Sequence, residues 1–246
     1  MARRIADRLE RSFDLVLFRA SSRQGWPEDD FSAQLFAKLK PDCVFDVGAN
    51  AGQYAQRLRD AGYAGTILLF EPNPGAFSTL QVAARDDPRW HCYPIALGAD
   101  KARLSFNVMA HDVLSSFNTL KKEAGVAFIG GREVVQTIPV EVDTLNAVLP
   151  KLQAEHGFTS PFLKIDTQGH DLEVLRGGSE VLHYFSGLVG EVSILQLYEE
   201  SCPIGESLAA FRAAGFYVVA LFNVHPEARL RQMVECNCYC IREDLV

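Results

Sequence analysis

Carboxylates recur in this sequence at the points where apolar runs stop. Cys43-Val44-Phe45-Asp46-Val47 leads into Gly48-Ala49-Asn50-Ala51-Gly52-Gln53, and Leu68-Leu69-Phe70 leads into Glu71. A strand, a glycine-bearing turn, a helix and a second strand ending in an acid together build an adenosine pocket in open α/β sheets. Gly48 lets a ligand approach the backbone, Asn50 tolerates a positive φ, and Gly52 lets the helix start close to the strand. Glu71 suits a ribose, because one carboxylate accepts from two adjacent hydroxyls. Asn73 and Pro74 shape the turn beneath it, and Ala96-Leu97-Gly98 offers small apolar surface for an adenine ring. Asp46 discriminates among adenosine ligands, since a carboxylate beside the first turn repels a pyrophosphate. The turn also departs from the dinucleotide fingerprint, with Asn50 in place of its second glycine and Gly52 one position early. A nicotinamide dehydrogenase is therefore the weaker reading. S-adenosylmethionine, cationic and free of phosphate, is the expected ligand.

A second segment, Phe162-Leu163-Lys164-Ile165-Asp166-Thr167-Gln168-Gly169-His170-Asp171, has the same form. Strand alternation puts Lys164 and Asp166 on one side, with Asp166 at the carboxyl end where α/β sheets place ligands. Gly169 frees the chain to turn and His170 opens the next helix, so Asp166 and His170 are expected to converge and take a proton from an attacking hydroxyl. Lys164 is read as a structural partner of Asp166, with a role as base the alternative. Glu191, ending the next strand, lies on the same rim, where it serves an acceptor hydroxyl or, less favoured, a divalent ion with Asp166. No metal is assigned.

The elements that must position these groups follow from the periodicity. Strands are expected over 43–47, 66–70, 90–95, 103–109, 134–142, 162–165, 188–192, 216–222 and 234–241, and helices over 52–61, 74–85, 144–155, 171–184 and 205–214. Alternating strands and helices call for a mostly parallel sheet with helices on both faces, and the last two strands, joined without a helix, for an antiparallel edge pair. Residues 1–40 are read as an N-terminal helical extension and 41–246 as one Rossmann-like domain, with a flap about 110–133. The net charge of −7 argues against nucleic acid as the main partner. No run approaches a membrane span, and the charged N-terminus lacks a secretory core, so a reduced cytoplasmic setting is expected for the six cysteines. Cys236, Cys238 and Cys240 alternate along one strand and are read as buried thiols rather than zinc ligands.

Taken in order, Phe45-Asp46-Val47-Gly48-Ala49-Asn50-Ala51-Gly52-Gln53, Phe70-Glu71-Pro72, Ala96-Leu97-Gly98, Ser115-Ser116, Val142-Asp143-Thr144-Leu145 and Leu163-Lys164-Ile165-Asp166 with Gly169 resemble the FkbM family of methyltransferases over about residues 40–240. The resemblance implies a class I methyltransferase fold with a seven-stranded sheet and S-adenosylmethionine as donor. It further implies methylation of a hydroxyl on a sugar, glycan or polyketide-like natural product. Carried over by position, Asp46, Gly48, Asn50 and Gln53 line the methionine and ribose region, Glu71 binds ribose and Leu97 lies by adenine. Asn73, Ala96 and Ser116 complete the cofactor set, and Asp166 stands by the methyl group. The family pattern Asp-x-Glu-Gly-x-Glu is broken here by Gln168 and His170. That departure keeps a non-catalytic binding protein on the same scaffold as an alternative. A homo-oligomer is a further expectation.

Overall fold

A computed structural model of the chain describes residues 27–110, 114–121, 133–224 and 233–245. Helix α1 (Pro27–Leu39) falls, through Lys38, in an N-terminal unit separate from the rest of the chain. It carries Glu28, Asp29 and Asp30 in its first turn and Lys38 in its last, the polarity that suits a helix dipole.

The remaining unit is built on a seven-stranded sheet. Its strands are β1 (Cys43–Val47), β2 (Thr66–Phe70) and β3 (Trp90–Tyr93), then, after three strands placed elsewhere, the later members named below. Between them run α2 (Gln53–Asp60) and α3 (Pro74–Ala84). In α2 the residues Tyr54, Ala55 and Leu58 form the buried stripe and Gln53, Gln56 and Arg57 face outward, as 3.6-residue periodicity requires. Pro74 opens α3 at a position where its missing N–H is no loss, and Asn73 caps it by accepting from the Gly75 N–H at 3.0 Å.

The chain then leaves the main sheet. Strand β4 (Ala96–Leu97), β5 (Ala102–Met109) and β6 (Val134–Asp143) form a separate three-stranded sheet in the order β4-β6-β5. The strand expected over 90–95 ends at Tyr93, before Pro94, which cannot donate to a ladder, and the short β4 beyond it belongs to the other sheet. Helix α4 (Leu145–His156) follows a Thr144 cap, and β7 (Pro161–Ile165) returns to the main sheet.

Helix α5 (Asp171–Arg176) is much shorter than the helix expected over 171–184. Gly177 is its C-cap, and a side chain there would run into the carbonyl of Gly98, whose carbon would lie 2.9 Å from the added Cβ. After a 3₁₀ turn (Leu182–Tyr184) come β8 (Gly187–Ser193), α6 (Ile204–Ala213), β9 (Phe216–Asn223) and β10 (Glu235–Arg242).

The strand order is β3-β2-β1-β7-β8-β10-β9. The first five strands are parallel, and β10 runs antiparallel between β8 and β9. Core strands β1 and β7 are buried at every position, as expected for a sheet covered on both faces. Phe45, at their centre, stacks on Phe70 and meets Phe158 and Phe185 edge-on. Cys236, Cys238 and Cys240 lie buried in the same core as free thiols. Among the described residues no helix is long and apolar enough to cross a membrane.

Candidate functional site

The sheet reverses its direction of growth at β1, with β2 on one side and β7 on the other, and that is the switch point where open α/β sheets leave a crevice. Register fixes what stands there. Val47 pairs with Phe70 and with Ile165, and Ile165 pairs with Gly190. The next residues along each strand are Gly48, Glu71, Asp166 and Glu191, so these four form one row across four parallel strands, beyond the ends of β1, β2 and β7 and within β8 near its carboxyl end.

Asp46 sits one step behind that row. It is the register partner of Lys164 on β7, and paired residues of neighbouring parallel strands put their side chains on one face. Lys164 Nζ lies 2.9 Å from Asp46 Oδ1, donates to the carbonyl oxygen of Gly48 at 2.7 Å, and lies 3.6 Å from Asp166 Oδ2. Asp46 is 0% exposed. The open charge expected of it is therefore turned inward and neutralised, and its bearing on a ligand is indirect. Burial pulls the Lys164 ammonium down, but Asp46 and Asp166 outweigh it and hold the group above its ordinary value. A lysine so held is a cation paired with Asp46 and set beside Asp166.

Glu71 is gripped from two sides. Its Oε2 accepts from the Asn50 N–H and its Oε1 from the Asn73 N–H, each at 2.8 Å. Each oxygen keeps a second lone pair. Beside it the Asn73 Nδ2 is buried with no protein partner. Burial pushes the Glu71 carboxyl up to about 7, against the lowering effect of the two backbone N–H groups. Asn50 holds φ at 48°, and its Oδ1 accepts from the Ala51 N–H at 2.7 Å and from Gln53 Nε2 at 3.2 Å. The turn is thereby locked by its own side chains.

Asp166 and His170 do not converge. The Asp166 carboxylate accepts from Gln168 Nε2 at 2.9 Å, whereas the His170 ring packs on Phe117 with centroids 4.7 Å apart. The reason is Asp171. Its Oδ1 takes the Thr167 N–H and hydroxyl, at 3.0 and 3.1 Å, and its Oδ2 takes the Gly169 N–H at 3.2 Å, which winds the loop so that His170 faces Gly98. Burial lowers the His170 pKa, so the ring is neutral near pH 7. Between Asp166 and Glu191, where two carboxylates alone would invite a cation, stands the Gln168 amide nitrogen, 2.9 Å from each.

Ala96 and Leu97 are buried in β4 and pair with Val142 and Asp143 of β6, so they present almost no surface for a ring. Ser116 is buried too, and its hydroxyl donates to the Gln168 carbonyl at 2.7 Å. It braces the loop after β7. Residues 114–121 of the expected flap are thus tied to the rim, and the rest of 110–133 beyond 110 and 133 themselves lies outside the described residues. Sequence reasoning missed Tyr198, whose hydroxyl meets Gln168, as well as Asp171 and the buried Glu235. Glu235 had one legible signal, a charge at the head of the apolar cysteine strand.

The sheet order, the carboxylate row and the glycine turn define a class I methyltransferase. The pattern of the Methyltransferase FkbM domain matches residues 46–217, and the chain belongs to that family. It is a methyltransferase dependent on S-adenosylmethionine. The 2-O-methyltransferase NoeI of Sinorhizobium fredii (strain NBRC 101917 / NGR234) is 25% identical over 178 residues, covering 67% of this chain and 69% of NoeI. Among solved structures, magnesium protoporphyrin IX methyltransferase (ChlM) from Synechocystis PCC 6803 with bound S-adenosylmethionine aligns at TM-score 0.46 and 10% identity, covering 87% of this chain and 78% of that one. Aeropyrum pernix fibrillarin, natively bound to S-adenosylmethionine, aligns at TM-score 0.45 and 12% identity, covering 86% and 74%.

The residues present fit that donor. A carboxylate fixed by two backbone N–H groups, with spare lone pairs and an unpartnered amide donor beside it, matches the two hydroxyls of a ribose.

Proposed function

We propose that this protein is an O-methyltransferase whose acceptor is a hydroxyl of a sugar, a glycan or a polyketide-like natural product. The observation that carries the reading is the row of carboxylates level with the strand ends, with Glu71 on one side of the switch point and Asp166 and Glu191 on the other. Glu71 holds the ribose of the donor, and Gly48, Asn50 and Gln53 supply the turn around it. When bound, S-adenosylmethionine supplies an electrophilic methyl group on sulfonium. The chain's own part is to bind, orient and move a proton. Asp166, whose side chain is 37% exposed, receives the proton of the acceptor hydroxyl, and Glu191 orients that hydroxyl. Lys164, fixed beneath the rim, keeps a positive charge 3.6 Å from Asp166. Aligning two bound reactants supplies most of the barrier reduction, ~7–11 kcal/mol in well-oriented cases. NoeI, named as a 2-O-methyltransferase, supports oxygen as the atom methylated.

The test is methyl transfer from isotopically labelled S-adenosylmethionine to a panel of sugars, oligosaccharides and hydroxylated polyketides, with the product position read by mass spectrometry. Label on nitrogen or carbon, or on none of the panel, rejects the assignment. Asp166→Asn is expected to lower turnover about 10²-fold, the low end for loss of a general base, while calorimetry with S-adenosylhomocysteine shows affinity kept.

A pH dependence follows from Glu71. The ionised carboxylate accepts from both ribose hydroxyls and the neutral acid from one, so binding favours deprotonation. With the carboxyl at about 7 in the free protein, affinity for S-adenosylhomocysteine is expected to be highest near pH 8. Below pH 7 it falls by at most about tenfold per pH unit. In Glu71→Gln binding is weaker and flat between pH 6 and 8. A wild-type affinity that ignores pH over that range removes Glu71 from the ribose.

A further inference from the structure

One side chain in the rim stands where the family pattern has an acid. Gln168 offers two amide N–H groups, and two carboxylates take one each: Asp166 Oδ1 at 2.9 Å and Glu191 Oε2 at 2.9 Å. Its Oε1 accepts from the Tyr198 hydroxyl at 2.9 Å, and that hydroxyl also lies 3.1 Å from the Leu114 carbonyl oxygen. Its own carbonyl accepts from Ser116 Oγ at 2.7 Å. The backbone is held at φ 52°, a left-handed conformation that costs a residue with a side chain. Turning the amide over would set Oε1 against two carboxylate oxygens, so the bond from Tyr198 and the two acids define one orientation.

We infer that Gln168, oriented by Tyr198, is a positioning residue that ties Asp166 to Glu191 and sets the proton affinity of Glu191. The inference rests on the reading of Asp166 and Glu191 as the acceptor-side groups.

The surroundings explain why an amide is needed. The charged and titratable groups facing this point are Asp46 from β1, Lys164 from β7, Asp171 from α5, Glu191 from β8, Glu235 from β10 and Tyr198 from the segment after β8. Lys164 acts as a cation on both Asp166 and Glu191. Burial, then repulsion from Glu235, Asp166 and Asp171, holds Glu191 well above the ordinary carboxylate range, and burial and the same aspartates push Glu235 up to about 8. An amide gives each rim carboxylate a donor without adding charge. A glutamate in its place offers one O–H at most, and none once ionised.

The experiment is a carboxyl ¹³C NMR titration of the full chain from pH 5 to 9.5, comparing wild type with Q168E, Q168M and Y198F. The Glu191 midpoint is expected to rise by about one unit, tenfold in proton affinity, in Q168E and in Q168M, since the carboxylate loses a charge-assisted donor. A smaller rise is expected in Y198F, where the amide loses its anchor. A merely structural role would lower the unfolding temperature and leave the midpoint in place. Midpoints within 0.2 units of wild type in the folded variants overturn the inference, and Y198F decides it if both Gln168 variants fail to fold. Full turnover in Asp166→Asn would instead sink the functional reading while leaving these titrations unaltered, so the two failures are distinguishable.

Discussion

Replacing Lys164 by methionine is expected to lower the unfolding temperature by about 10 °C and to abolish methyl transfer. The side chains of Lys164 and Asp46 are 9% and 0% exposed and lie 2.9 Å apart. Methionine fills most of the space but leaves Asp46 buried with no counter-charge and the Gly48 carbonyl without its 2.7 Å donor. Breaking one side of a buried pair costs ~3–5 kcal/mol, because the stranded ion keeps its desolvation penalty. In a domain of this size each kcal/mol is worth about 2–4 °C. Removing both charges together, in Asp46→Asn with Lys164→Met, should restore much of the stability, since an uncharged pair has no such penalty. Activity should stay low in the double variant, because the cation 3.6 Å from Asp166 is gone in both. Thermal unfolding by circular dichroism checks the first statement. A single Lys164→Met variant as stable as wild type would show that the pair contributes nothing.

That pair also shows where sequence reading stops. The strands of the parallel sheet were legible as apolar runs, and so was the row of acids, because each run ends in one and strand ends are where such sheets place ligands. The direction in which Asp46 points was not legible. Every residue of β1 is buried, so no alternation distinguishes one face from the other. The fact that decides it is register with Lys164, a residue more than a hundred positions downstream. His170 fails for a similar reason: its place beside Phe117 goes with Asp171 collecting the loop's donors, which spacing alone does not show. The need for glycine at position 177, the C-cap of α5, likewise comes from the close approach of Gly98, and the two segments lie far apart in sequence. Local chemistry was readable, and contacts between distant segments were not.

Gly48 joins both levels, and Gly48→Ala is expected to be among the most damaging single substitutions in the chain. Two costs combine. The residue sits at φ 79°, where a side chain costs ~1–2 kcal/mol. An added Cβ would also lie 2.8 Å from the Asp166 carbonyl carbon and closer still to its oxygen. That neighbour is backbone, so no rotamer change relieves the clash. The turn cannot retreat either, because the Gly48 N–H donates to the Phe70 carbonyl at 3.0 Å and its own carbonyl receives Lys164. Either β7 shifts at its carboxyl end, moving Asp166, or the turn lifts, moving Asn50 away from Glu71. Overpacking of this kind costs ~1–3 kcal/mol beyond the φ penalty. Gly157 supplies the control, at φ 70° with nothing within 4 Å of an added Cβ. Gly157→Ala should therefore show the φ cost alone and keep full methyl transfer, whereas Gly48→Ala loses several degrees more and nearly all turnover. Equal unfolding temperatures for the two variants would mean that the turn and the end of β7 yield to each other freely, and that the contact between them does not set the geometry of the rim.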